Sequence, residues 1–262
     1  MVVFWKEMRQ GWKAVAIWSV AITFMMVICL AMFPEMKKQM NEVSDMFANM
    51  GSFTTAFGMD QVNFGELMGF YGVECGNILG IGGGFFAAYV GIQILAKEEK
   101  ERTAEFLLSH PINRRTVVAQ KLAAILTEIV IVNALVTGIS ALCVVIIGET
   151  LAVRAFLLLH LAYFLLQVEI ACICFGISAF VKRGSIGIGL GLAAVLYFTN
   201  LICNLSEQAE FLKYVTPFAY AEATDIIADV TVKWPLVALG MGVSVIAVLV
   251  GFRRYTTKDI AA

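Results

Sequence analysis

The sequence predicts an all-α integral membrane protein with six transmembrane helices, and two observations lead to this fold class. Hydrophobic residues make up 60% of the 262 residues and charged residues only 15%, whereas soluble domains are about half apolar and a quarter charged. The apolar residues also form six stretches that approach or exceed the ~20 residues that a helix needs to cross the hydrocarbon core. This pattern excludes a soluble enzyme and a disordered chain, and 19 basic against 20 acidic residues provide no basic field for nucleic acid.

The predicted spans are nearly free of charge. The first two contain no charged residue, and the third and fourth carry a single carboxylate each, Glu128 and Glu169. We expect one transmembrane domain over residues 1–262, with spans at about 14–33, 75–96, 122–147, 155–181, 186–204 and 236–252.

The basic residues predict the orientation of these spans. Lysine and arginine accumulate on the cytoplasmic side of membrane helices. With both termini inside, 14 of the 19 basic residues lie inside and five outside: Lys37, Lys38, Arg154, Lys213 and Lys233. We therefore expect a multi-pass protein of the bacterial cytoplasmic membrane with both termini in the cytoplasm.

Three segments outside the spans have helical patterns. Residues 4–12 alternate apolar and polar side chains and predict an interfacial helix on the inner leaflet, with a frayed terminus as the alternative. Apolar side chains at positions 36, 40, 43, 47 and 50 predict an amphipathic helix, and a copper-binding methionine cluster is the other interpretation. Residues 205–234 fit either two short helices that break at Pro217 or a surface loop.

The inner segment between the second and third spans is the most informative. Residues 97–121 begin as a charged helix with an apolar patch, which Pro111 ends; Asn113 can then cap a second helix that leads into the third span. A helix that is charged on one side and apolar on the other needs a membrane surface or a protein partner.

Few patterns for chemistry are present. None of the eleven lysines is followed by serine or threonine, so the phosphate-binding loop of an ATPase is missing and we expect no ATP site in this chain. We predict no catalytic residue and no metal site. The six cysteines lie within or at the edges of spans, and a disulfide among those near the outer ends stays open.

Four polar side chains at membrane depth are candidates for a substrate path, because an ionisable group there costs at least about 2.5 kcal/mol without a partner or water. They are Glu128, Glu169, His160 and Gln167. At ~1.5 Å per residue, Glu128 and Glu169 lie at different depths, which argues against a shared proton. Polar contacts between packed helices are the alternative role.

Small residues recur at intervals of four in the second span, at Gly76, Gly80 and Gly84, and in the fifth, at Gly187 and Gly191. Such a stripe lets another helix approach closely. We expect helix packing within the chain, with a subunit interface or a substrate path as the alternative.

The chain resembles the permease subunits of ABC-2 type exporters over nearly its full length. The amphipathic start FWKEMRQGWKAVAIW, the six spans, the acidic outer segment with Thr216-Pro217-Phe218 and the inner segment all match. The inner segment is similar to a family pattern of Glu, Gly-Thr-x-Glu-x-Leu-Leu, Pro, Arg and Lys. Thr103, Glu105, Leu107, Leu108, Pro111, Arg114 and Lys121 take those places, and Arg102 stands where the family commonly has glycine.

The resemblance implies a transport subunit rather than an enzyme. Residues 98–109 would form a coupling helix that docks on a separate ATPase, with contacts from Glu98, Glu99, Glu101, Arg102, Thr103, Glu105, Leu107 and Leu108. Two ATPase subunits, which hold ATP and Mg²⁺, would drive two permease subunits, as a homodimer or a heterodimer in membrane lipid. The substrate class is hydrophobic or amphipathic: a drug, a peptide or bacteriocin, or a lipid. The alternative is a membrane-embedded enzyme, or an immunity or scaffold protein that works without ATP.

Overall fold

The computed structural model describes residues 1–39, 52–56, 62–101, 103, 113–181 and 185–258. All regular elements in these ranges are helical, and six helices are long and apolar enough to span a membrane, which confirms the predicted fold class. The six are α1 (Val2–Lys38), α3 (Leu67–Gln93), α5 (Arg114–Ile146), α6 (Val153–Ser178), α7 (Ile186–Leu205) and α9 (Trp234–Thr257). Shorter elements are α2 (Ser52–Ala56), α4 (Lys97–Lys100), α8 (Ala223–Asp229) and the 3₁₀ helices Glu207–Tyr214 and Pro217–Tyr220.

The first helix corrects the prediction of a separate N-terminal interfacial helix. Residues 4–12 are instead the first turns of α1, which runs unbroken to Lys38. Its one proline, Pro34, lies in the last two turns, so the hydrogen-bond ladder is intact before it. At ~1.5 Å per residue the helix is about 56 Å long and exceeds the ~30 Å hydrocarbon core. Of the 36–50 pattern, Met36 belongs to α1, and residues 40–50 lie outside the described residues.

The second spanning helix begins earlier than its hydropathy predicts. It starts at Leu67 instead of residue 75, passes through a π-helical segment at Tyr71–Cys75 and ends at Gln93. The glycines and polar residues of this region lower its hydropathy. They are tolerated because 67% of the residues in an apolar 18-residue stretch of α3 are buried against neighbouring helices. This helix therefore contacts protein more than lipid.

The third spanning helix starts where the sequence places its cap. The backbone N–H of Arg115 donates to Oδ1 of Asn113 at 2.9 Å, which satisfies one of the free N–H groups of the first turn. The predicted second helix of the inner segment is thereby confirmed, and it continues into α5 without interruption. Of the predicted coupling helix at 98–109, the structure describes Glu98–Glu101 and Thr103.

The bundle is built around α3 and α6. In each of them 67% of the residues in the apolar 18-residue stretch are buried, against 22–33% in the other four long helices. The helix α6 packs against α3, α9 and α5, while α1 lies along α5 and α7 lies along α3. We call the end where α1, α5 and α7 begin and where α3, α6 and α9 finish the basic end of the bundle.

The segment between α7 and α9 folds as short helices, not as an extended loop. The first 3₁₀ helix ends at Tyr214, and Thr216 caps the second. Its Oγ1 accepts from the N–H of Phe218 at 3.3 Å and donates to the carbonyl of Leu196 in α7 at 2.8 Å. Phe218 and Tyr220 are buried. The chain therefore turns inward at Pro217 and inserts aromatic side chains between the spanning helices.

Candidate functional site

We call the predicted coupling helix, residues 98–109, the coupling segment. Its residue Glu98 forms an ion pair with a buried lysine of α5, Lys121. Lys121 has no exposed surface, and its Nζ lies 3.0 Å from Oε1 of Glu7 in α1 and 2.6 Å from Oε1 of Glu98. The same ammonium group donates to the carbonyl of Ile94 at 2.7 Å. One cation thus joins the start of α1, the end of α3, the base of the coupling segment and the start of α5.

Further ion pairs extend this cluster at the basic end. Lys97 lies 3.1 Å from Oε2 of Glu7, and Lys258, just beyond α9, lies 2.7 Å from Oε1 of Glu99. Arg114 donates to the backbone carbonyl of Lys258 at 2.8 Å. The C-terminal end of α9 is therefore tied to the same segment.

These contacts divide the predicted coupling residues into two groups. Glu98 and Glu99 point into the protein and bind its own lysines. Glu101 is exposed, and Thr103 is half-buried with its backbone N–H bonded to the carbonyl of Glu98 at 2.9 Å. The other predicted contacts lie outside the described residues: Arg102, Glu105, Leu107 and Leu108.

The two carboxylates at membrane depth face different helices. Glu128 in α5 lies against Gly11 of α1, and Glu169 in α6 lies against Gly240 of α9. A Cβ atom on either glycine would come within 1.9 Å of a carboxylate oxygen, so each glycine provides the space that the acid occupies. The hydroxyl of Tyr220 donates to Oε2 of Glu169 at 3.0 Å. Because their neighbours are different, the two acids do not form a pair.

His160 and Gln167 hold helices together. His160 is buried, with Nε2 2.8 Å from the hydroxyl of Tyr71 in α3 and Nδ1 2.9 Å from Oγ1 of Thr137 in α5. Gln167 accepts from Nδ2 of Asn133 in α5 at 2.7 Å. Since both ring nitrogens of His160 have a partner on another helix, the imidazole joins α6 to α3 and to α5.

The glycines of the α3 stripe lie against other helices of the chain, whereas Gly187 and Gly191 of α7 do not. Gly76 and Gly80 lie against Tyr163 of α6, and Gly84 lies against Phe218 and two side chains of α6. A Cβ at Gly191 would meet nothing within 4 Å, and one at Gly187 would meet only Ser185 beside it in the chain. The close approach of α7 to α3 occurs instead at Gly189.

A second polar group was missed by sequence reasoning because its members are far apart in the chain. Glu222, which lies between α7 and α9, accepts hydrogen bonds from Nδ2 of Asn200 at 2.9 Å and Nδ2 of Asn204 at 3.1 Å. Burial raises the pKa of the Glu222 carboxyl above its usual value, and the two amide donors act in the opposite direction. The signal was the pair of asparagines one helical turn apart in an apolar span.

Neither a metal site nor a disulfide is formed in the part of the chain that the structure describes. No three histidine, cysteine, aspartate or glutamate side chains converge there. All six cysteines are free thiols.

Comparison with known proteins identifies the family. A family model described as ABC-2 family transporter protein matches residues 1–260. No curated protein matches the chain. Since the matched family covers nearly all of the chain and six helices can span a membrane, the chain belongs to the ABC-2 family of transporter proteins and is a multi-pass membrane permease.

Proposed function

We propose that this chain is the permease subunit of an ATP-driven exporter, assembled from two permease subunits and two ATPase subunits. It lies in the bacterial cytoplasmic membrane with the basic end in the cytoplasm, and it moves a hydrophobic or amphipathic substrate outward. ATP and Mg²⁺ belong to the ATPase subunits. Family membership and the excess of lysine and arginine at the basic end support this proposal.

The observation that carries the proposal is the anchoring of the coupling segment. Through Lys121, Glu98 is joined to Glu7, and through Lys258, Glu99 is joined to the end of α9. A partner that pushed on residues 98–109 would therefore displace α1, α5 and α9 together. Buried ion pairs suit this role, because separating them leaves charges without partners in a poorly solvated region.

We also propose different roles for the residues of the coupling segment. Glu98 and Glu99 anchor the segment to its own subunit, and the exposed Glu101 belongs to the surface that meets the ATPase. Arg102, Thr103, Glu105, Leu107 and Leu108 remain proposed contacts on that surface, as the family pattern implies.

Co-purification of the chain from native membranes tests the assembly. We expect a polypeptide with a Walker A motif to accompany the wild-type chain, and the Glu101→Arg variant to lower both its recovery and the substrate-stimulated ATPase rate severalfold. The matched control is Glu35→Arg, which makes the same charge reversal on an exposed residue near the last turn of α1, away from the basic end of the bundle. Absence of any nucleotide-binding companion from the wild-type preparation would contradict the proposal.

The exposed face of α7 is proposed as the contact with a second permease subunit. Gly191 has open space where a neighbouring helix would approach, and Val195 and Phe198 on the same helix are exposed. A Gly191→Cys variant should cross-link between two copies if the permease is a homodimer. If the permease is a heterodimer, the cross-link should instead join this chain to a paralogue.

The alternatives are less well supported. A membrane-embedded enzyme would need an acid, a base and a reactive group that meet at a substrate, but His160 is held by Tyr71 and Thr137, and Glu169 by Tyr220. An immunity or scaffold protein would have no use for an anchored coupling segment. Activity of the purified chain without an energy-supplying partner would favour one of these alternatives.

A further inference from the structure

A cavity of about 530 Å³ opens at the basic end, between the start of α1, the last turns of α3 and the side of α5. Its volume lies in the range of sites that hold drug-sized ligands. Its walls include the rings of Trp12 and Tyr89 and the aliphatic side chains of Val90 and Ile94, and the carboxylate of Glu128 closes one side. The other charged residues of its lining are Glu7, Arg9, Lys13, Lys97, Lys100 and Glu101. The cavity therefore combines apolar and aromatic surface with acidic and basic side chains.

The carboxylates buried beside this cavity differ in their ion pairs. Three carboxylates are buried here, on Glu7, Glu98 and Glu128. Two lysines face them: Lys121 binds Glu7 and Glu98, and Lys97 binds Glu7. Within the described ranges of the chain, Glu128 has no ion pair and no hydrogen bond. Of the three buried carboxylates, Glu128 is therefore the one that no described side chain contacts as a partner.

The unmatched carboxylate lies deeper in the membrane than the rest of the cluster. Glu128 is seven residues beyond Lys121 in α5, which is about 10 Å along the helix. At such a position a charged carboxylate is stable only with a proton, water or a cation beside it. Gly11 faces the carboxylate and leaves it room at the cavity wall.

The mouth of the cavity carries basic side chains on Arg9, Lys13 and Lys100, beside the acidic Glu101, and all four residues are exposed. Exposed lysine and arginine side chains at this level reach the lipid headgroups and water. They disfavour entry of a small cation from water. A cation that is attached to a hydrocarbon chain and already lies in the membrane interface meets a smaller barrier.

We propose that this cavity binds an amphiphile with an alkylammonium headgroup, and that Glu128 is its counter-ion. The ammonium group lies against the Glu128 carboxylate and the faces of Tyr89 and Trp12, where aromatic rings attract cations. The hydrocarbon chain lies along Val90 and Ile94. The proposal names the substrate class of the exporter and in that respect rests on the proposed function.

The cavity at Glu169 provides a contrast within the same molecule. It has a volume of about 300 Å³ and is lined by Glu169, Tyr220 and Gly240. There the carboxylate accepts a hydrogen bond from the hydroxyl of Tyr220. Glu169 is therefore a matched control: it is an acid at membrane depth beside a glycine, but it has a protein partner.

Calorimetric titration of the chain in phosphatidylcholine nanodiscs tests the proposal, with dodecyltrimethylammonium and dodecyl sulfate as probes and empty nanodiscs as the blank. We expect saturable binding of the ammonium probe, weakened at least tenfold in Glu128→Gln and less than twofold in Glu169→Gln. Dodecyl sulfate should show no binding that depends on Glu128. Equal binding of the ammonium probe by wild type and Glu128→Gln would overturn the proposal.

A second measurement needs no variant. Dicyclohexylcarbodiimide modifies carboxyl groups in membranes, and mass spectrometry locates the adduct. Dodecyltrimethylammonium should protect Glu128 severalfold and leave Glu169 unprotected. Modification of Glu128 that a saturating probe concentration does not slow would overturn the proposal.

The two proposals fail separately. If the ATPase co-purifies but Glu128 binds no ammonium probe, the substrate class is wrong and the transport assembly stands. If Glu128 binds the probe but no ATPase accompanies the chain, the binding site stands and the assembly is wrong.

Discussion

The ammonium group of Lys121 lies 3.0 Å from the carboxylate of Glu7, a residue 114 positions earlier in the chain, and neither side chain is exposed by more than 2%. The pair joins α1 to α5 with both side chains buried. Lys121 also pairs with Glu98. Removal of the Lys121 charge therefore takes from Glu98 its ion pair and leaves Glu7 paired with Lys97.

Replacement of Lys121 by methionine should destabilise the protein by about 3–5 kcal/mol, because breaking a buried ion pair leaves an uncompensated charge. Unfolding by denaturant in detergent measures the change. The control is Lys37→Met, whose partner Glu149 is part of an exposed pair and which should cost no more than about 1 kcal/mol.

Addition of Glu98→Gln to Lys121→Met should recover part of the lost stability, since it removes the carboxylate whose ion pair was with Lys121. If the two substitutions instead add as independent losses, the charges of Lys121 and Glu98 do not interact.

Two glycines of α7 differ in their surroundings: Gly189 is closely packed and Gly191 faces open space. A Cβ on Gly189 would lie 2.8 Å from the backbone carbonyl of Ala88, which cannot move easily, and one on Gly191 would meet nothing within 4 Å. We expect Gly189→Ala to cost about 1–3 kcal/mol. In the isolated subunit Gly191→Ala should be neutral or slightly stabilising, because alanine favours helix. Thermal unfolding of both variants checks this, and equal losses would contradict the packing of α7 on α3.

Removal of the Tyr220 hydroxyl tests the partner of Glu169. Tyr220→Phe leaves the carboxylate without its donor and should destabilise the protein by about 1–3 kcal/mol. Tyr214→Phe is the matched control, because Tyr214 is 59% exposed and its variant should change stability by less than about 0.5 kcal/mol. A Tyr220→Phe variant with the stability of the wild type would show that the Glu169 carboxylate does not depend on the hydrogen bond from Tyr220.

Glu222 should make stability depend on pH. Burial raises its pKa in the folded state. At pH values between the unfolded and the folded pKa, the folded protein therefore holds a proton on Glu222 that the unfolded chain has lost. The resulting stabilisation is fully present below the unfolded pKa, and it disappears as the pH rises through the folded pKa. Stability of the wild type relative to Glu222→Gln should therefore fall as the pH increases above about 4.5.

Glu210 provides a control of opposite sign for this titration. The hydrogen bond from Lys213 lowers the pKa of the Glu210 carboxyl, so its contribution is lost as the pH falls. Denaturant unfolding at a series of pH values compares wild type, Glu222→Gln and Glu210→Gln. A difference between wild type and Glu222→Gln that stays constant with pH would contradict the raised pKa.

Local patterns predicted some features of the site and could not predict others. Asn113 was recognised as the cap of α5 because capping depends on side chains within three residues of the helix start. The partner of Glu169 was not recognised, since Tyr220 reaches it only after the chain turns inward at Pro217. The length of α3 was underestimated because hydropathy measures solvation by lipid, and this helix is surrounded by protein.

The membrane fold, the six spans and the family resemblance can be predicted from the order of residues, because hydrophobic length and the coupling motif are properties of contiguous residues. Which charges have partners depends on the packing of the helices. Lys121 acquired Glu7 and Glu98, Glu169 acquired Tyr220, and Glu128 was left facing a cavity. Whether a buried charge is neutralised depends on atoms a few ångströms away in space, and the order of residues along the chain does not specify these neighbours.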